Sequence, residues 1–260
     1  MGIGLTPLYR KNITVPKPEQ QYAGRNFLRR HSKYIKDMRV GTWNVLSLHR
    51  PGALKVLLEQ LDLYKLDLLA LQEVRWIGNG ILEKKSHTIF YSCHKKGHAF
   101  GTGFVLHKRI KHLIMDFKAK SPRSCILRIK GCFFNYSFIC VHAPTNEKNE
   151  EEKERFYDEL DKIYDECPKR DIKIILGDLN TQIGKEGMYK PTIGTNSLHT
   201  VSNDNGIRLI NFASSRSMVI ASTVFLHKDI HKRTWKSPDG KTFNQIDHVV
   251  IDTRHFFKFY

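Results

Sequence analysis

The sequence lacks the patterns that most directly identify secreted, membrane-spanning or zinc-binding proteins. Its five cysteines are odd in number and form no C-x-x-C pair, and its 13 histidines form no H-E-x-x-H motif. No apolar run approaches the roughly 18 residues of a membrane span. The N-terminus has no apolar segment of the kind found in secretory signals. These absences favour a protein of a reducing compartment, nuclear or cytoplasmic, with no membrane segment and no disulfide-linked partner.

Acidic residues are scarce relative to basic ones. Lys and Arg total 43 against 26 Asp and Glu, which gives a formal net charge of +17 and an isoelectric point of about 9.7. This excess is larger than solubility requires. It favours a polyanionic partner, with nucleic acid ahead of an anionic membrane surface.

The basic residues are not evenly spread, and they indicate where the compact part begins. Residues 1–38 carry eight Lys and Arg but two acids, include Pro16 and Pro18, and show little periodicity. They are predicted to form a basic, flexible extension. Residues 39–260 are predicted to form one domain, whose acidic helix at Glu147–Glu166 has a single apolar face. Many short strands with few helices predict a two-sheet α/β layered fold.

Polar residues follow the ends of several predicted strands. The segment K-I-I-L-G-D-L-N places Asp178 and Asn180 two positions apart after a buried run, so both side chains share one face. Alone, this segment also matches an ordinary Gly-Asp turn. Buried polar groups are costly unless they are satisfied, so repeated cases suggest convergence on one site. Four further strand ends carry similar interruptions: G-T-W-N at 41–44, L-Q-E-V at 71–74, H-A-P-T at 142–145 and Q-I-D-H at 245–248.

The residue types at these strand ends indicate metal-assisted hydrolysis. No Ser or Cys nucleophile is among them. A few hard oxygen ligands suit Mg²⁺, which keeps several of its waters. Carboxylates, amides and a metal without a covalent nucleophile fit attack by water on a phosphodiester. The residues concerned are Asn44, Glu73, His142, Asp178, Asn180 and Asp247.

Six motifs in a fixed order give the chain a family resemblance. They are G-T-W-N, L-Q-E-V, H-A-P-T, G-D-L-N, N-D-N-G and Q-I-D-H, and the match covers Arg39–Asp252. Each motif is weak, but the ordered set resembles the endonuclease/exonuclease/phosphatase superfamily, which includes abasic-site endonucleases and deoxyribonuclease I. More narrowly, it resembles endonuclease domains of non-LTR retrotransposons and craniofacial development protein 2-like proteins. The resemblance implies a four-layered α/β sandwich, with two packed β-sheets flanked by helices.

The resemblance also implies an activity and a cofactor. It predicts a monomeric phosphodiesterase, a DNA endonuclease of the retrotransposon type that depends on Mg²⁺, with Mn²⁺ as an alternative ion. Glu73 would be the principal metal ligand, with Asn44 beside it. Asp178 would position or deprotonate the attacking water, and Asn180 would hydrogen-bond the phosphate.

Three further residues take roles only by resemblance. Asn205 would lie near the rim of the substrate site. Asp247 would orient a catalytic histidine. His142 stands where many family members have tyrosine, which leaves a donor at the site whose charge depends on pH.

The family's final S-D-H motif, which supplies the catalytic histidine, does not occur in Ile251–Tyr260. The last core strand is also expected to be missing, so the domain is predicted to be incomplete at its C-terminal end. His248 directly follows Asp247 in a strand, so its side chain is predicted to face away from the site. His255 is the remaining candidate for the missing role.

These features leave three functions open. The first is a metal-dependent endonuclease whose turnover is weak or absent without S-D-H, because a positioned acid or base contributes ~10²–10⁴ in rate. The second is a non-catalytic nucleic-acid-binding remnant. The third is an inositol- or lipid-phosphate phosphatase, because fold does not fix substrate. No apolar insertion typical of lipid binding is visible in the loops.

Overall fold

The computed structural model describes residues 38–256. The predicted basic extension therefore lies outside the described residues, apart from Met38. Residues 257–260 and the side chain of His255 lie outside them as well.

The first sheet has five strands in the order β1-β2-β5-β4-β3. Strands β1 and β2 are parallel and are connected through helix α1, whereas the other neighbours are antiparallel. The elements are β1 (Val40–Asn44), α1 (Ala53–Tyr64), β2 (Leu68–Gln72), β3 (Asn79–Glu83), β4 (His87–Ser92) and β5 (Thr102–His107).

The second sheet has six strands in the order β10-β13-β9-β8-β7-β6. Strands β8 and β9 are parallel and are joined through α2, and the other pairs are antiparallel. Strands β11 and β12 form a separate hairpin. The elements are β6 (Ile114–Ser121), β7 (Ser124–Ile129), β8 (Tyr136–His142), α2 (Glu150–Glu166), β9 (Ile172–Asp178), α3 (Asp204–Ser215), β10 (Met218–Ile220), β11 (Trp235–Lys236), β12 (Phe243–Asn244), β13 (Asp247–Asp252) and α4 (Thr253–Phe256).

Three apolar layers hold these elements together. The central layer lies between the sheets, where Phe104 of the first sheet and Phe138 of the second are both fully buried. A second layer packs α2 and α3 on the outer face of the second sheet, around Leu160 and Leu209. A third packs α1 on the outer face of the first sheet, around Leu61. Two sheets between two helical layers confirm the predicted four-layered sandwich.

Helix α2 starts later than its composition predicts. The acidic run suggests a start at Glu147, but the first helical residue is Glu150. Asn149 is the reason, because its side chain accepts a hydrogen bond from the backbone N–H of Glu152 at 2.9 Å. Such a cap satisfies a backbone donor that the first helical turn leaves free.

After the last strand of the second sheet, the described residues contain one short helix. Strand β13 is followed by α4, and no strand comes after it up to residue 256. All five cysteines carry free thiols. No helix between residues 38 and 256 is both long and apolar enough to cross a membrane.

His87, at the start of β4, gives the fold a dependence on pH. Its ring is fully buried; Nδ1 lies 2.9 Å from Ser86 Oγ and Nε2 lies 3.4 Å from Asp62 Oδ1. The ring of His107 meets it edge-on at 5.2 Å. Burial lowers the pKa of His87, which Asp62 partly offsets and His107 reinforces. The unfolded chain therefore binds a proton here at a pH where the folded chain does not, so stability is lost as the pH falls below the usual histidine pKa.

Urea unfolding at about pH 7.5 and about pH 5.5, on either side of the usual histidine pKa, tests this dependence. The wild type is expected to lose more stability between the two pH values than His87→Gln, because glutamine cannot be protonated. His112→Gln is the matched control, since His112 is exposed. Equal losses in the wild type and His87→Gln would contradict the assignment.

Candidate functional site

Three of the predicted site residues lie side by side where the central strands of the second sheet end or begin. His142 and Asp178 are the last residues of the parallel strands β8 and β9, and they are register partners. Asp247 is the first residue of antiparallel β13, and it is also a register partner of Asp178. Parallel neighbours end at the same sheet edge, and an antiparallel neighbour begins there. The sheet topology alone therefore places these three residues in one row.

Asn44 connects this row to the first sheet. It is the last residue of β1, and its Nδ2 donates to Asp178 Oδ2 at 2.9 Å and to Glu73 Oε1 at 3.1 Å. Its Oδ1 accepts from the backbone N–H of Leu46 at 3.1 Å. One amide thus brings two carboxylates from different sheets within hydrogen-bonding reach of the same nitrogen.

Glu73 reaches this position through an unusual backbone turn. It directly follows β2, and both Glu73 (φ 56°) and Arg75 (φ 57°) have left-handed backbone conformations. Such conformations cost energy for residues other than glycine and are frequent at active sites. The turn brings Arg75 Nη2 to 2.5 Å from Glu73 Oε2. The Glu73 carboxylate therefore contacts both a neutral donor and a cation.

His142 is buried close to Glu73 with little polar contact. Its Nε2 lies 3.9 Å from Glu73 Oε1, and its Nδ1 has no hydrogen-bond partner among the described residues. Burial lowers the pKa of the imidazole; Asp178 and Glu73 oppose this effect, and Arg123 and Arg75 reinforce it. The ring is therefore favoured in its neutral form.

The two aspartates at the site are buried as well. Asp178 Oδ1 accepts from the backbone N–H of Asn180 at 3.1 Å. Burial raises the pKa of Asp178, although His142 and Asn44 work against the shift. Burial, with the neighbouring Asp178 charge, also raises the pKa of Asp247 well above its usual value. Within residues 38–256, Asp247 Oδ1 has no hydrogen-bond partner.

Asn180 and Asn205 support the loop that follows β9. Asn180 has a left-handed backbone (φ 49°), and its Nδ2 donates to Ala143 O at 2.8 Å. Asn205, in the first turn of α3, donates from Nδ2 to the carbonyl oxygens of Asn180 and Pro144, both at 3.0 Å. Only 2% of Asn205 is exposed. It therefore lies behind Asn180 and not at an open rim.

His248 faces away from the site, as the alternation of the strand predicts. Its Nδ1 lies 2.7 Å from Ser222 Oγ and its Nε2 lies 3.1 Å from Thr181 O, and the ring is fully buried. Both ring nitrogens are thus engaged on the far side of β13.

Two contributors were not found from the sequence. Arg75 ion-pairs with Glu73, and the only sequence signal for it is a basic residue two positions after the acid. Thr234 Oγ1 accepts from the backbone N–H groups of Ile246 and Asp247 at 3.0 and 3.2 Å. This contact fixes the start of β13, and no local pattern around Thr234 indicates it.

The donor set suits a hard cation held partly by substrate and water. The described residues contain no group of three or more His, Cys, Asp or Glu side chains arranged to hold a metal. Mg²⁺ does not require such a cage, because one or two carboxylates usually bind it together with waters and phosphate. Glu73, with 16% of its side chain exposed, offers one accessible carboxylate, and Asp178 lies on the other side of Asn44. These residues therefore fit a Mg²⁺-type ion.

Comparisons with known proteins give matches over most of the chain. A model of the Endonuclease/Exonuclease/phosphatase family matches residues 41–259. Craniofacial development protein 2 of Tragulus javanicus is 34% identical over 215 residues, which cover 83% of this chain and 37% of that protein. The chain thus spans little more than a third of the length of the curated relatives it matches.

Solved structures share the architecture at low sequence identity. The endonuclease domain of TRAS1, a telomere-specific non-LTR retrotransposon, superimposes with a TM-score of 0.55 at 12% identity, over 85% of this chain and 87% of that domain. The 3′ phosphatase NExo from Neisseria, bound to a product DNA hairpin, gives 0.58 at 17% identity, over 84% and 87%. At these identities the likeness concerns the fold.

Proposed function

Because the chain belongs to the endonuclease/exonuclease/phosphatase family, we propose that it is a Mg²⁺-dependent phosphodiesterase that cuts DNA, as an endonuclease of the retrotransposon type. Members of this family are hydrolases acting on phosphodiester bonds, and they generally use divalent metal ions. The observation that carries the proposal is the Asn44 amide, which holds the carboxylates of Glu73 and Asp178 together across two sheets.

Glu73 and Asn44 are the proposed metal-binding residues. Mg²⁺, or Mn²⁺ in its place, would neutralise charge on the phosphate when bound. Asn44 would offer its Oδ1, which accepts from Leu46 N–H in this structure. The Arg75 guanidinium would compete with the ion for the Glu73 carboxylate.

Asp178 is the proposed base for the attacking water. A buried carboxylate with a raised pKa accepts a proton more readily than an exposed one. Asn44 and the Asn180 N–H hold its two oxygens, which fixes the direction of the carboxylate. Water that gives its proton to Asp178 attacks phosphorus, the bond from phosphorus to one bridging oxygen breaks, and the leaving oxygen takes a proton from solvent.

The other site residues are proposed to bind and orient. Asn180 has a second N–H on Nδ2 for a phosphate oxygen, and Asn205 supports it from behind in the substrate-binding region. His142, as a neutral imidazole, is proposed to donate to a phosphate oxygen. Asp247, beside Asp178, takes the orienting role that the resemblance implies, and its Oδ1 has no hydrogen-bond partner among the described residues.

DNA is the proposed substrate because two independent features favour it. The formal charge of +17 attracts a polyanion. The TRAS1 domain and the DNA-bound Neisseria phosphatase share this fold. The relatives are longer than this chain, so the proposal concerns the domain and not a whole protein.

A supercoiled-plasmid nicking assay with purified residues 1–260 tests the function. Nicking is expected with Mg²⁺ and not with EDTA. Glu73→Gln is expected to lower the rate by about 10²-fold, because the carboxylate is the proposed metal ligand. Glu59→Gln, an exposed residue of α1, is the matched control and should nick like the wild type. Cleavage in EDTA, or full activity of Glu73→Gln, would contradict the proposal.

A non-catalytic nucleic-acid-binding role is the second candidate. Asp247 Oδ1 has no hydrogen-bond partner within residues 38–256, and this favours the second role, because the resemblance pairs Asp247 with a catalytic histidine. It predicts DNA binding that weakens steeply with salt, since phosphate contacts release counterions. Binding without nicking in the assay above would support this role, and Mg²⁺-dependent nicking would exclude it.

A further inference from the structure

Two side chains outside the proposed chemistry hold His142 from one side. The ring of Phe100 meets the imidazole at an angle of 61°, with 6.0 Å between ring centroids. The guanidinium of Arg123 lies over the Phe100 ring at 4.1 Å. Edge-to-face ring pairs and cations over ring faces are both favourable contacts. We refer to Arg123, Phe100 and His142 as the Arg123 stack.

Arg123 is held in place by hydrogen bonds to His142 and to helix α2. Its Nη1 donates to the carbonyl of His142 at 3.1 Å, and its backbone carbonyl accepts from the N–H of His142 at 2.9 Å. Its Nη2 pairs with Glu152 Oε1, on the first turn of α2, at 3.2 Å. Arg123 therefore ties the last residue of β8 to a helix on the outer face of the sheet.

Phe100 is directed toward His142 by its backbone. It has a left-handed conformation (φ 57°), which is unfavourable for an aromatic residue. Its carbonyl accepts from the N–H of Arg75 at 2.8 Å, and the next residue, Gly101, donates to Pro122 O at 2.9 Å. Phe100 thus connects the loop that carries Arg75 with the ring of His142.

The ring contacts matter because hydrogen bonds do not fix this imidazole. A functional histidine usually takes its orientation from a hydrogen bond at one ring nitrogen. Among the described residues, Nδ1 of His142 has no partner, and Nε2 lies 3.9 Å from Glu73 Oε1, beyond hydrogen-bonding distance. Contact with Phe100 is therefore left to set the angle of the ring.

We propose that Phe100 and Arg123 are positioning residues that hold His142 with Nε2 turned toward Glu73 and the substrate phosphate. This inference rests on the proposed function for its catalytic consequence. Neither residue touches the reacting atoms, so each acts through His142.

A double-mutant cycle tests whether the effect passes through His142. Phe100→Leu keeps an apolar side chain but removes the ring, and it is expected to lower kcat about 10-fold with little change in KM, because a displaced group costs rate. Phe100→Tyr should restore kcat. In a His142→Ala background, Phe100→Leu should cause no further loss. Equal losses in both backgrounds, or no loss in either, would overturn the proposal.

Long-range ¹H–¹⁵N spectra of the histidine rings test the positioning without turnover. The His142 signals are identified by their loss in His142→Ala. They are expected to shift or broaden in Phe100→Leu and in Arg123→Lys, whereas those of His248 stay in place. Arg155→Ala is the control, since Arg155 pairs with Glu151 on the exposed face of α2.

The spectra also separate two kinds of failure. If the wild type does not nick DNA, the proposed function fails, but the ring signals still report whether Phe100 and Arg123 position His142. Unchanged His142 signals in both folded variants would overturn the positioning role. Arg123→Lys retains a cation, so it is preferred to alanine at this half-buried position.

Discussion

Replacing Asp178 with asparagine is expected to lower the rate of Mg²⁺-dependent nicking by about 10³-fold while the fold is retained. Asparagine has nearly the same shape but cannot accept the proton of the attacking water. Burial raises the pKa values of both Asp178 and Asp247, so a neutral amide relieves an unfavourable pair of buried acids. The amide keeps only one of the two oxygens that accept from Asn44 Nδ2 and Asn180 N–H, which offsets this relief, so the thermal midpoint should change little. Nicking rates and thermal unfolding of the purified variant measure the two effects.

Asp171→Asn provides the matched control, with the opposite expected result. Asp171 is buried directly before the other end of β9, where Arg128 and Ser137 donate to it at 2.7 to 3.0 Å. Its replacement should cost about 2 kcal/mol of unfolding free energy, because charge-assisted hydrogen bonds are lost. The nicking rate of the folded protein should not change. Similar nicking rates in the two variants would refute the special role of Asp178.

Replacing Gly177 with alanine is expected to lower the free energy of unfolding by about 3 kcal/mol, at the upper end for overpacking. A Cβ at this position would lie 1.9 Å from the carbonyl oxygen of Val141 on β8. That oxygen belongs to the backbone and cannot rotate away, so β8 and β9 would have to separate beside His142 and Asp178. Urea unfolding measures the loss, and nicking should fall with it.

Gly187→Ala is the control for this substitution. A Cβ on Gly187 would meet nothing within 4 Å apart from its chain neighbours. Its replacement should leave stability nearly unchanged. If Gly177→Ala lowered the free energy of unfolding as little as Gly187→Ala does, the close contact between β8 and β9 at Gly177 would be contradicted.

The sequence predicts those parts of the site that depend on strand ends. A buried apolar run followed by Asp178 indicates where a central strand ends. The alternation of side chains along a strand places His248 on the far side of β13. The ordered motifs identify the sandwich. Two strands at the margins of their sheets, β3 and β6, carry no motif and have only partly buried and exposed positions, so the sequence does not indicate them.

Side-chain detail at the site depends on contacts distant in sequence. Nothing local indicates that Asn44 presents its nitrogen to two carboxylates, or that Phe100 adopts a left-handed backbone. Asn205 was predicted near a substrate rim, but the first turn of α3 directs it inward to two carbonyl groups. Hydrogen bonds between distant parts of the chain thus determine side-chain orientations that strand and helix patterns do not predict.

The hydrogen bond between Asn44 and Asp178 also has a consequence for folding kinetics. It joins residues 134 positions apart, on strands of different sheets. Closing so long a loop is entropically costly, and contacts of this kind tend to form late. A refolding chain should therefore regain its circular-dichroism signal before it regains nicking, because the site exists only after the two sheets have docked.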